Sequence, residues 1–180
     1  MEEIETYRIE EDIPATYPET PEGLLSDAAA ALDTGLIWGR IEEFIAHRWT
    51  ERQVIWTVRG PGEFVPDLGP AEITLSRVWS GTTYIDASLD PSPLGGVVLT
   101  GEGPYRFTAT VGGGTVPAGV WEAFRRLAEY MAERPDRQGA GRISETIGPM
   151  SEDFDRSSKW VAQAIQLSGA ADLLRSYRRV

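Results

Sequence analysis

The chain has 180 residues, of which 41% are hydrophobic and 25% charged, with one histidine and no cysteine. That length suits one domain with an appendage, and the lack of cysteine excludes disulfides, thiolate zinc sites, iron–sulfur clusters and cysteine nucleophiles together. A net charge of -11 argues against a general coat for nucleic acid, whose affinity comes from neutralised phosphates.

The charge is unevenly spread. Residues 1–27 carry nine carboxylates and one arginine, whereas residues 125–180 carry ten basic side chains and eight acidic ones. The acidic end reads either as a solvated tail or as one half of a charge match between neighbouring copies. Its first residues lack the basic and apolar stretches of a secretory signal, so export by that route is not expected. No apolar run reaches the ~20 residues of a membrane helix, so neither spanning nor anchoring in a bilayer is expected. Three prolines between Pro14 and Pro21 predict an extended lead-in, with folded structure beginning after residue 21.

Ser26 before Asp27 is a suitable N-cap. Leu32, Ile37, Ile41, Phe44, Ile45 and Trp49 then recur at helical spacing, with Thr34-Gly35 placed to split the stretch into two helices. From Gln53 to Thr115 the pattern changes to short runs rich in Val, Ile, Thr and aromatics: QVIWTVRG, AEITLSRVW, TTYIDA, GVVLTG and YRFTATVG. Gly/Pro clusters bound them, which predicts a small antiparallel sheet, and Tyr105, Phe107, Ala109 and Val111 alternate with polar residues as a half-buried strand does. Pro117 opens a second helix running to about Arg134, whose stripe of Val120, Phe124, Leu127 and Met131 marks it as the central packing helix.

Residues 135–141, PDRQGAG, read as a linker. Beyond it come a small apolar cluster (Ile143, Ile147, Met150, Phe154), a helix from about Phe154 to Leu167, a break at Gly169 and a short last helix. The expected fold is therefore α+β and mainly helical: a helical core over 22–134 with a β insertion at 53–115, and an extended C-terminal helical arm over 142–180, preceded by the acidic extension 1–21. The arm is too short to close a core of its own. Either Trp160, Val161, Ile165, Leu167, Leu173, Leu174 and Tyr177 fold back onto their own domain or a partner covers them, and the reach of the linker favours a partner.

The chemistry-bearing residues form no catalytic pattern. His47 stands without a GxSxG elbow, so a Ser-His-Asp triad is not expected, and one histidine without an EF-hand loop gives no metal site. GGGTV at 112–116 lacks the Lys-Ser/Thr of a phosphate loop and reads as a strand-to-helix turn needing positive φ. The carboxylates Glu42, Glu43, Glu152, Asp153 and Asp155 read as solvated faces, where nothing raises a pKa for acid–base work. No cofactor and no enzymatic activity are expected.

The order of these pieces carries a resemblance. A helical region ending in IEEFIAHRWT, a sheet opening with VIWTV, a last strand GPYRFTATVG, the helix VPAGVWEAFRRLAEYMAER and a terminal SGAADLLRSYRR resemble the head-tail connector (adaptor) proteins of long-tailed phages and gene transfer agents. The likeness covers most of residues 22–180; the acidic extension matches nothing in it. It implies a homo-oligomeric ring, commonly of about twelve copies, between the capsid portal and a neck or tail-completion (stopper) protein, within the virion and, during assembly, the host cytoplasm. DNA would pass through the lumen without sequence-specific binding. The resemblance implies partner-binding roles for Trp160, Val161, Ile165, Leu167, Leu173, Leu174, Arg175, Tyr177, Arg178 and Arg179, with the arginines meeting acidic portal surface or neighbouring subunits. A monomeric or dimeric binding module that forms no ring is the other structural reading, and an uncharacterised enzyme, which the lone His47 disfavours, is the third.

Overall fold

The computed structural model describes residues 4–133, 143–147, 150–154 and 160–178. It corrects the mainly helical expectation: helix takes 29% and strand 31%, and the sheets are antiparallel. The chain forms two compact units, one built from residues 1–17 and 46–115, the other from 18–45 and 116–178.

In the first unit, β1 (Glu5–Glu11), β2 (Arg52–Arg59), β4 (Ala71–Trp79), β5 (Tyr84–Asp86) and β8 (Tyr105–Val111) form a five-stranded sheet in the order β1-β2-β8-β4-β5. A three-stranded sheet joins β3 (Gly62–Phe64), β7 (Gly96–Leu99) and β6 (Pro91–Ser92) in the order β3-β7-β6. The alternation read from β8 is realised, and β2 shares it. Val54, Trp56 and Val58 pair in register with Ala109, Phe107 and Tyr105, and all six are buried. Phe64 stacks on Phe107 at 4.8 Å between ring centres, and the Trp56 indole N–H donates to Asp67 Oδ1 at 2.7 Å. A core of this kind loses about 3–5 kcal/mol for an aromatic cut back to alanine.

Folded structure does not wait for residue 21. The segment ETYRIEE forms β1, antiparallel to β2, with Ile9 opposite Trp56 and Glu11 opposite Val54. Its period-2 pattern is obscured because an edge strand leaves nearly every side chain exposed, apolar ones included. Gly112, Gly113 and Gly114 all have positive φ, as the turn reading requires, and a Cβ at Gly112 would collide with the Thr50 carbonyl.

The second unit holds α1 (Asp27–Ala30), α2 (Thr34–Phe44), α3 (Ala118–Ala132), a β9 (Ile143–Ile147)–β10 (Met150–Phe154) hairpin, α4 (Trp160–Leu167), α5 (Ala170–Leu173) and a 3-10 turn at Arg175–Tyr177. The helices split at Thr34 as expected. Ser26 caps α1 by accepting from the Ala29 N–H, while its own N–H and hydroxyl each donate to the Glu129 carboxylate on α3 at 2.7 Å. Asp33 caps α2 through the Gly35 N–H. The stripe on α3 is buried as read, and Trp38 of α2 meets Phe124 at 5.1 Å and Trp121, edge-on, at 5.4 Å.

Two boundaries differ from the spacing argument. The helix leading to Trp49 ends at Phe44, because the chain from Ala46 to Arg48 exchanges backbone hydrogen bonds with Gly69 instead of continuing the helical ladder. The apolar cluster of residues 143–154 is a hairpin, with Phe154 paired to Ile143, and the described part of the following helix starts at Trp160. The 135–141 linker lies outside the described residues.

Candidate functional site

The residues expected to meet a partner divide into those that seat the last helices and those that face outward. Leu174 is fully buried, as are Ala164 and Ala170, and α4 and α5 both pack on α3. Leu174 is therefore sheltered within its own chain and needs no foreign surface. Ile165, Leu173 and Tyr177 are half-buried. Leu167, at the end of α4 before a left-handed Gly169, is 58% exposed. Arg175 and Arg178 are exposed, and the Arg178 guanidinium lies 4.6 Å from the centre of the Phe44 ring, a cation–π contact within the same unit. Trp160 and Val161 open α4; Arg179 lies outside the described residues.

Among the described candidate residues the exposed ones are Leu167, with Arg175 and Arg178 on the segment that follows. Helical periodicity alone could not separate Leu174 from Leu167, because the turn at Gly169 resets the phase between α4 and α5.

A second constellation, in the other unit, was not read from the sequence. The Glu11 carboxylate accepts from Arg48 Nε at 2.6 Å and Nη2 at 3.1 Å, and from Arg52 Nη1 at 3.0 Å. Both arginines are buried, and the Arg52 guanidinium also lies 6.0 Å from the centre of the Tyr17 ring. Burial by itself would push Glu11 up, but hydrogen bonding and charge from Arg48 and Arg52 outweigh it and hold the carboxyl below its usual range. The arrangement fastens the N-terminal strand to the basic-aromatic corner HRWTER. Its signal lay in that corner together with the alternation of ETYRIEE, two features 36 or more residues apart that only the strand pairing joins.

His47 is half-buried with its ring 4.5 Å from that of Trp49; burial first, and then the Arg48 charge, hold it below its ordinary pKa, so it is neutral at pH 7. A neutral imidazole tilted against an indole has a packing role here. Glu42 corrects the solvated-face reading, being buried in α2, while Glu43 is exposed. Glu152, Asp153 and Asp155 lie outside the side chains described. Among the described residues no group of three or more His, Asp or Glu side chains is placed to hold a metal ion, and no helix is long and apolar enough to cross a membrane. No protein-family model matches the chain, and no curated protein matches it.

Proposed function

We propose that this chain is a structural component of a phage or gene-transfer-agent neck, without enzymatic activity, which assembles as a homo-oligomeric ring between the portal and the tail-side proteins and lets DNA pass. The support is the order of elements that carries the resemblance, from the helix and basic-aromatic corner through VIWTV and YRFTATV to the Val116-Pro117 entry into α3. The observation that carries it is the outward surface of the last helices: Leu167 is exposed at 58% although the same segment is seated by the fully buried Leu174. Exposed arginines beside this apolar side chain support an interface reading, since arginine is enriched at binding hot spots.

The test is binding of the full chain to the purified portal of its own particle. Leu167→Asp and Arg175→Glu are expected to weaken binding at least tenfold with no change in melting temperature. Unchanged affinity would remove these helices from the interface, and saturation at a single copy per portal would favour the binding module that forms no ring.

A further inference from the structure

Strand β1 is an outermost strand, and among the described residues its strand partner is β2 alone. The rest of its attachment is polar. Glu11 accepts from Arg48 and Arg52, and Glu10 approaches Arg106 at 3.8 Å. The Asp12 N–H donates to the Gln53 carbonyl at 3.0 Å, and the Tyr17 ring lies 6.0 Å from the Arg52 guanidinium. All of these partners belong to the stretch 46–115. Ile4 packs half-buried against the core of the unit, but six of the seven residues of β1 are exposed, Tyr7 at 54% and Ile9 at 43% among them. The arm is held mainly by register, hydrogen bonds and charge, and such contacts are the same whether or not the two sides share a chain.

The connection that follows suits an arm that can change hosts. The chain passes from the first unit to the second between Tyr17 and Pro18, and residues 18–25, PETPEGLL, form neither helix nor strand. Pro18 and Pro21 bias this stretch towards an extended, stiff path, and eight residues reach about 26–29 Å when extended. The receiving site, in turn, cannot stand empty cheaply. Without Glu11, the buried Arg48 and Arg52 guanidinium groups lose the carboxylate they share, and removing one partner from a buried charge cluster is strongly destabilising. The site is filled by its own arm or by a neighbour's.

We propose that β1 is an exchangeable arm: in the assembled protein, residues 4–17 of one copy lie on β2 of the next, whose Arg48 and Arg52 receive the incoming Glu11. Every contact of the single chain is remade across two chains, so the exchange needs no new interface chemistry, and swapping an identical element is a low-cost route to association. Copies held side by side in a ring raise the effective concentration of each arm at its neighbour, which turns an even exchange into a lasting link. This inference rests on the ring reading above and names the element that would tie one copy to the next.

Because the chain has no cysteine, introduced thiols report this pairing alone. Arg8 and Thr57 are directly opposed across β1 and β2, and opposed residues of an antiparallel pair lie about 4.5–5.5 Å apart, within the reach of a disulfide. The full chain carrying Arg8→Cys with Thr57→Cys is assembled under reducing conditions, compared with wild type by sedimentation velocity, then oxidised and run denatured. Most of the chain is expected to shift from the monomer band to a ladder of covalent multimers that thiol reduction collapses. Where this pair impairs assembly, Glu5→Cys with Arg59→Cys repeats the test on another opposed pair, both exposed. Assembled rings whose chains carry only the link within a chain would overturn the inference and leave the ring reading standing. Absence of both links would overturn it too, since β1 would then lie on β2 in no copy. Wild-type chain that stays monomeric, alone and on the portal, would bring down both.

Discussion

Glu11 is the residue whose environment departs furthest from what its sequence neighbours suggest. In ETYRIEED it is one carboxylate among many, but the turn of β1 onto β2 places it between two buried guanidinium groups. Charge-assisted hydrogen bonds of this kind contribute about 1.5–3 kcal/mol each way they are measured. Glu11→Gln is therefore expected to destabilise the chain by about 2 kcal/mol at pH 7, read from urea unfolding. Because the folded-state pKa is depressed, the stabilisation is complete above the ordinary carboxylate pKa and disappears as the pH falls through the lowered folded value. Wild type and Glu11→Gln should thus converge in stability as the pH falls through that lowered folded value; a gap that persists unchanged into strong acid would refute the clamp. Glu122 makes a useful contrast. Hydrogen bonds from Arg125 and Arg126 at 2.8 Å push its carboxyl down to about 2, but this surface triad is open to solvent, which screens its effect on stability.

At the scale of elements, the last two helices make the sharpest prediction. Leu174→Ala empties a fully buried site and should cost about 3 kcal/mol, whereas Leu167→Ala should leave the unfolding midpoint within about 0.5 kcal/mol of wild type. Equal effects would mean that the division into seated and outward residues is wrong. The elements that the sequence revealed clearly are those with a strong, uninterrupted period and good punctuation. Helix α3 has its broad stripe and Pro117, β8 its strict alternation, and the α1–α2 split its Ser26 cap and its Thr34-Gly35 break. The elements that escaped were those whose pattern serves something other than burial. β1 sits at an edge where most faces are wet, and β9–β10 places Glu145 between Ile143 and Ile147, which blurs a strand into an apolar cluster. Of the candidate surface, Arg175 and Arg178 were legible as exposed basic residues, while the burial of Leu174 depends on packing against α3, which no local window contains.

Over the whole molecule, an acidic beginning and a basic end lie on units that each hold their own core. Unlike ends favour head-to-tail association over pairing of like with like, and rising salt should weaken that association because exposed charges are screened beyond about 8–10 Å. Sedimentation at 50 mM and 500 mM salt is expected to show smaller assemblies at the higher concentration; growth with salt would point to an apolar contact instead. The account as a whole stands on the chain acting as one of many identical parts around a portal. Native mass spectrometry of the purified portal saturated with this protein measures that directly. The spectrum should show one closed species bearing a fixed, multiple number of copies; a portal bearing none, or a single copy, would contradict it.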